Sequence, residues 1–224
     1  MWIGNDIVDL SLNQKHHPRF VRRIFSDHDL ERYNRGGAQS QDLWLAWAAK
    51  EAAYKLEKQR DAAIYFSPAE FSVDLSEAKV NWRGRVHSFG CVASTDYVHV
   101  WVHSGSGRVE TKVAPASAVT TGLSARNLSA DVRILAASVV SSLFGIRVDE
   151  VVVDTDQHRI PFAVRRDSKG VTRLPCAISL SHDGGFVAVA VAAAGAEGIA
   201  GPAAGSGGIA VAATGSKGTV LVSE

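Results

Sequence analysis

The sequence predicts an α+β protein in which two similar lobes, each a helix laid on an antiparallel sheet, pack together as a pseudo-dimer. Three observations carry that prediction. Helical periodicity at residues 41–58 and again at 129–144 is followed each time by strand-like alternation. Cys91-Val-Ala-Ser-Thr-Asp-Tyr-Val-His-Val-Trp-Val and Cys176-Ala-Ile-Ser-Leu-Ser-His-Asp-Gly-Gly-Phe-Val-Ala-Val-Ala-Val share a frame: a Cys, a Ser three residues on, a turn, an aromatic residue, then alternating valines. Upstream of them, Phe71-Ser-Val-Asp resembles Val151-Val-Val-Asp. The expected division is an N-terminal lobe over 1–110, a C-terminal lobe over 111–193 and a Gly/Ala-rich flexible tail over 194–224. At 224 residues, 46% of them hydrophobic and 21% charged, the chain is large enough to bury two such cores.

Each element has its own reason. Trp2, Ile3, Ile7, Val8 and Leu10 make residues 2–10 a strand or extended entry segment. Arg19 to Arg35 reads as two helical pieces, the second capped by Ser26, favoured by Asp27 and Asp29 in its first turn, and ended by Gly36-Gly37. Within 41–58, Leu45, Ala49, Ala52 and Leu56 form a stripe of mostly small side chains suited to close approach to a sheet, whereas Trp44, Trp47, Glu51 and Lys55 fall on another face. Phe71 to Val102 alternates as strands, with a turn at Trp82-Arg-Gly-Arg. Residues 104–124, rich in Ser, Gly, Ala and Thr, read as a loop. The helix at 129–144 stops at Gly145. Strands are expected at 148–154, near 162–164, at 176–180 and at 186–191. Beyond Ala192 periodicity ends, although Thr219-Val-Leu-Val has the makings of an edge strand.

Charge and composition exclude several classes. A net charge of +1 makes the whole molecule no electrostatic trap for nucleic acid. One local run is different: Lys15, Arg19, Arg22, Arg23, Arg32 and Arg35 outnumber the acids among residues 15–35, which suits either a solvated helix face or a docking surface for an acidic partner. Cys91 and Cys176 are expected to be free thiols of a cytoplasmic protein. No basic stretch followed by an apolar run marks a signal peptide, and no apolar segment is long enough to cross a bilayer, so no membrane partner is expected.

The residues fit for chemistry lie in three short stretches. Gly4-Asn5-Asp6-Ile7-Val8-Asp9 sets two carboxylates among apolar neighbours, where each needs a partner such as a hard cation, Mg²⁺ for example. Lys50-Glu51-Ala-Ala-Tyr-Lys55 puts Glu51 and Lys55 one helical turn apart. Ser179-Leu-Ser181-His182-Asp183-Gly184-Gly185 sits where a hairpin is expected. Singly, these are a turn or capping pair, a surface ion pair and a turn. Jointly they supply a cation site, a positive charge and donors to phosphate oxygens, which are the parts phosphoryl transfer needs. The sequence has no glycine-rich phosphate loop, no Cys/His cluster with zinc spacing and no nucleophile elbow.

In order and spacing across residues 4–190, these stretches resemble the 4′-phosphopantetheinyl transferase superfamily. The motif order is like that of holo-acyl-carrier-protein synthases. The length and duplication are like those of the two-lobed surfactin-synthetase type, with the lobes in the opposite order. The resemblance implies Mg²⁺-dependent transfer of the phosphopantetheine arm of coenzyme A to a serine of an apo acyl or peptidyl carrier protein, with release of 3′,5′-ADP; Mn²⁺ is the alternative ion. It implies metal ligation by Asp6, Glu51 and Asp9, catalysis by Glu51 and Lys55, and coenzyme A phosphate contacts from Lys55, Ser181, His182 and Lys50. It also implies carrier docking on Arg19, Arg22 and Arg23, with a monomer favoured. Two other readings stay open from the residues alone: a non-catalytic carrier-protein or coenzyme A binding module, and another Mg²⁺-dependent phosphotransferase or hydrolase acting on a nucleotide.

Overall fold

The β-branched residues Ile3, Ile7 and Val8 sit in the first strand, β1 (Trp2–Asp9). The computed structural model describes residues 1–12, 18–25, 29–31, 40–116 and 127–194. Helix α1 (Pro18–Ile24) begins on a proline, whose fixed φ suits a first turn. Helix α2 (Ser40–Arg60) leads to a 3₁₀ turn at Pro68–Glu70 and to strands β2 (Phe71–Asp74), β3 (Lys79–Trp82), β4 (Arg85–Ala93) and β5 (Tyr97–Ser104). The second half contributes β6 (Arg108–Pro115), helix α3 (Leu128–Phe144), a 3₁₀ turn at Val148–Glu150, and strands β7 (Val151–Thr155), β8 (Pro161–Asp167), β9 (Gly170–Arg173), β10 (Cys176–Asp183) and β11 (Phe186–Ala193).

The fold is α+β, and its halves repeat one order: strand, long helix, 3₁₀ turn, antiparallel strands, closing hairpin. The likeness of Phe71-Ser-Val-Asp to Val151-Val-Val-Asp has a structural counterpart. Each segment follows a 3₁₀ turn, and its first residue donates its N–H to the turn's first carbonyl, Phe71 to Pro68 and Val151 to Val148. One sheet runs β1-β5-β4-β3-β2, a second β10-β11-β6 and a third β7-β8-β9, all with antiparallel neighbours. The turn at Trp82–Arg85 forms as expected, with positive φ at Arg83 and Gly84.

Packing follows side-chain size. On α2, Ala46, Ala48, Ala49, Ala52 and Ala53 are buried with Leu45 and Leu56 against Val98, Val100 and Val102 of β5. Those small residues bring the helix so near β1 that a Cβ on Gly4 would collide with the Ala52 carbonyl oxygen. Trp44 joins this core, so the face it shares with Glu51 is partly a packing face. On α3, Val132, Leu135, Ala136, Val139 and Val140 meet Ile178, Val187, Val189 and Val191. Its ends behave as the sequence indicates: the Asn127 side chain accepts from Ala130 N–H, and Gly145 is left-handed. Strand β11 is buried on both faces. Its valines serve α3, and Ala190 and Ala192 pack with Ile3 of the other lobe.

Some boundaries differ from expectation. Residues 108–115, expected within a loop, form β6 and pair with β11 along the whole strand. Val109, Thr111 and Val113 alternate with Arg108, Glu110 and Lys112 there, a pattern overshadowed by the surrounding Ser and Gly. β6 also spans the expected lobe boundary after residue 110. β9 is an unexpected strand, because its residues are all exposed and show no apolar alternation. The strand expected from Val148 starts at Val151, after the 3₁₀ turn. Between Arg19 and Arg35, residues 18–24 and 29–31 are helical; Ser26 and Gly36-Gly37 lie outside the described residues, as do 195–224 and the segment at Thr219. Among the described residues no helix is long and apolar enough to cross a membrane.

Candidate active site at the seam of the lobes

Strand β1 is the outer strand of its sheet, so its outward N–H groups need partners. Side chains of β10 provide them. Asn5 N–H donates to Ser179 Oγ at 2.9 Å, Ile7 N–H to Ser181 Oγ at 3.3 Å, and Asp9 N–H to Asp183 Oδ2 at 2.9 Å. The constant separation of 174 residues means that β1 and β10 run in the same direction. The two-residue period places all three acceptors on one face of β10. Ala177 has no polar side chain to continue the series. There Gln59 of α2 takes over, accepting from Ile3 N–H at 3.1 Å and donating to Ile178 O at 2.8 Å. Gly185 N–H donates back to Asp9 Oδ2 at 2.8 Å, closing the far end.

Asp6 points to the other face of β1, toward α2, and is buried. Its Oδ1 accepts from Lys55 Nζ at 2.7 Å and from Ser181 Oγ at 2.8 Å. Lys55 also donates to Asn5 O at 3.0 Å and to Ser181 Oγ at 3.2 Å. One turn back, Glu51 faces this group. Burial pushes its carboxyl up to about 7, the negative charge of Asp6 adds to the rise, and Lys55 opposes it. Among the described residues Glu51 and Asp6 Oδ2 accept no hydrogen bond. Beneath Asn5 lies His99, fully buried, with its Nε2 at 3.2 Å from Asn5 Nδ2. Burial, and then the Lys55 ammonium, drive His99 down to about 3, so it is neutral and accepts from the amide.

Asp6, Glu51, Lys55 and Ser181 therefore come together from β1, α2 and β10. The other expected site residues lie elsewhere. Asp9 is three residues from Asp6 on a strand, which puts it on the opposite face. Its Oδ1 accepts from Ser11 N–H and Oγ–H, and its Oδ2 from Gly185. Burial raises the Asp9 carboxyl, and these hydrogen bonds together outweigh it and hold the carboxyl below its usual value. Lys50 points inward and is fully buried. It donates to Ile24 O and Asp29 Oδ2, each at 2.9 Å, and lies over the Phe25 ring, an arrangement that turns it away from any phosphate. His182 is exposed on the face of β10 opposite Ser181, and no hydrogen bond joins it to another described residue. Arg19 and Arg22 are exposed on α1; the Arg23 side chain lies outside what is described.

The donor set suits a hard divalent cation. The negative charge of Asp6 helps to hold the proton on the partly buried Glu51, a repulsion between the two carboxyl groups that a cation would relieve. Two carboxylates leave the remaining coordination positions to water and substrate, as Mg²⁺ prefers. Among the described residues no cluster of three or more His, Cys, Asp or Glu forms a self-sufficient metal site. Gln59 and His99 lie outside the three stretches singled out by the sequence, and Asn5, Ser179 and Asp183 lie within them without an expected role. A period of two in Ser179-x-Ser181-x-Asp183 was the available sign of the first contacts; nothing in the sequence pairs Asn5 with His99.

Comparison with known protein families matches residues 3–110 to the family described as the 4′-phosphopantetheinyl transferase superfamily. No curated protein and no solved structure matches the chain.

Proposed function

We propose, from the match of residues 3–110 to the 4′-phosphopantetheinyl transferase superfamily, that the protein transfers 4′-phosphopantetheine from coenzyme A to a serine of an apo acyl or peptidyl carrier protein. The observation that carries the proposal is the convergence of Asp6, Glu51 and Lys55 with Ser181 of the other lobe. The serine oxygen forms a bond to the phosphorus that bears pantetheine. The bond from that phosphorus to the bridging oxygen breaks, and 3′,5′-ADP leaves with the electron pair. Glu51 takes the serine proton, directly or through one water. Lys55, its ammonium at the mouth of the site with the side chain 28% exposed, balances charge on the diphosphate. Asp6 and Glu51 would hold Mg²⁺, or Mn²⁺ in its place, which when bound supplies further charge withdrawal from the diphosphate.

His182 and the exposed Arg19 and Arg22, with Arg23, extend the proposal outward. The imidazole meets a coenzyme A phosphate at the rim, and the arginines receive an acidic carrier protein. Because one chain supplies groups from both lobes, a monomer suffices. The test is incubation with coenzyme A, Mg²⁺ and a panel of apo carrier proteins, read by intact mass. Addition of the phosphopantetheine mass to a carrier serine supports the proposal. Binding of coenzyme A without transfer points to a binding module, and cleavage without an acceptor points to a hydrolase.

A further inference from the structure

We infer that the face formed by Trp2, Arg60 and Arg85 is a docking surface for an acidic protein segment, separate from the transfer site. Glu57, at its centre, is fully buried. Its Oε1 accepts from His87 Nε2 at 2.8 Å and from Arg60 at 3.4 Å, and its Oε2 accepts from Arg85 at 2.5 Å. One buried carboxylate requires one counter-charge, and here two guanidinium groups converge on it. Among the described residues neither arginine has a second acidic partner. Neighbouring Arg83 is matched by Glu70, whose Oε2 accepts from its Nε at 2.7 Å. One positive charge of the Arg60–Arg85 pair is therefore left over. The cluster faces away from the transfer site, because Glu57 lies two residues beyond Lys55, roughly 200° around α2.

The surplus charge is held in place and open to solvent. Arg60 lies over the Trp2 ring at 5.0 Å, and Arg85 over that of its cross-strand neighbour Trp82 at 5.5 Å. Stacking steadies each guanidinium, while the two side chains stay 33% and 51% exposed. A guanidinium has five N–H donors, and each of these gives one to Glu57. Donors thus remain for an incoming oxygen. Trp2, itself 37% exposed, lays an apolar surface beside them, and tryptophan and arginine are the side chains on which protein interfaces concentrate their binding energy. A single carboxylate balances the surplus charge, whereas a phosphate monoester brings almost two negative charges and overshoots it. A chain of net charge +1 lacks the field to hold a nucleic acid. The occupant that fits is an Asp or Glu side chain of another protein, with an apolar neighbour to cover Trp2.

The test uses full-length protein and the fluorescence anisotropy of labelled peptides that alternate Glu with Leu, a Lys-for-Glu counterpart serving as control. Wild type is expected to bind the acidic peptide and not the basic one, and to bind it less tightly as salt rises. Arg60→Ala and Trp2→Ala are each expected to weaken binding roughly tenfold. Arg85→Lys keeps a cation beside Glu57, so that the fold is preserved, but loses the planar fork; a similar loss is expected. In all three variants kcat and the KM for coenzyme A should equal those of wild type. Peptide affinity that is the same in wild type and variants overturns the inference, as does a wild type that binds no acidic peptide. Inorganic phosphate or a single-stranded oligonucleotide binding more tightly than the acidic peptide also overturns it, and so does a matching loss of transfer in the variants. Peptide binding is read without carrier or coenzyme A, so it judges this surface whether or not the chain proves to be a transferase.

Discussion

Helices α2 and α3 hold equivalent places in the two lobes, and their buried polar side chains differ sharply. On α3 the buried residues are apolar apart from Asp131. On α2, Lys50 and Glu57 are fully buried, and Glu51, Lys55 and Gln59 lie close by on the same helix. Each has an assignment: Lys50 to Asp29, Glu57 to His87 and Arg85, Gln59 to the edges of β1 and β10, Glu51 and Lys55 to Asp6. Polar groups buried in a helix–sheet contact cost stability unless paired, so their concentration in one copy of a repeated module marks where function has displaced packing. The second lobe contributes differently, through short hydroxyl and carboxylate side chains of β10 that hold the edge of β1.

That contrast breaks most visibly at Lys55. Replacing it with Ala is expected to lower the rate of carrier modification roughly 10²–10³-fold, because the positive charge opposite the leaving group is lost; steady-state kinetics at saturating Mg²⁺ reads it. No α3 substitution should approach that effect on rate in protein that remains folded. Lys50 sharpens the comparison from the side of stability. Lys50→Met leaves the Asp29 carboxylate buried without its ammonium, at an expected cost of roughly 3–5 kcal/mol in chemical denaturation. A loss much smaller than that would show Asp29 relaxing to solvent.

A smaller effect depends on pH. In the folded, metal-free protein Glu51 keeps its proton up to about pH 7, whereas unfolded it ionises near ~4.3. Between those values the folded state binds more protons, so stability falls as pH rises from about 5 to 7, by roughly 2 kcal/mol. Thermal unfolding in a chelator should show this slope, and Glu51→Gln should flatten it. Smallest of all is His182→Ala, where loss of one exposed contact is expected to raise the KM for coenzyme A by about tenfold or less with kcat unchanged.

Much of this was legible in the chain because it depended on local pattern. Helix periodicity gave α2 and α3, and a four-residue spacing put Glu51 and Lys55 on one face. The repeated frame from Cys91 and Cys176 anticipated two equivalent hairpins. Other features depended on distance in sequence. Whether Asp9 joins Asp6 turns on the residues being in a strand, since a three-residue step unites faces in a helix and divides them in a strand. The inward turn of Lys50 depends on Asp29, and Ser181 rather than its neighbour His182 meets the acids because β10 presents alternate residues to β1. The pattern of β6 is weak since its charged members alternate with only modest apolar ones, and pairing with β11 supplies what propensity lacks.

The central claim is that Asp6 and Glu51, brought together with Lys55 at the seam, perform phosphopantetheine transfer. Its most direct measurement compares wild type with Glu51→Gln at saturating Mg²⁺, following the intact mass of an apo carrier protein given coenzyme A. The account predicts that the wild-type reaction adds phosphopantetheine to the carrier serine, and that the variant, folded and still able to bind coenzyme A, barely does so. Near-normal transfer by Glu51→Gln would contradict it.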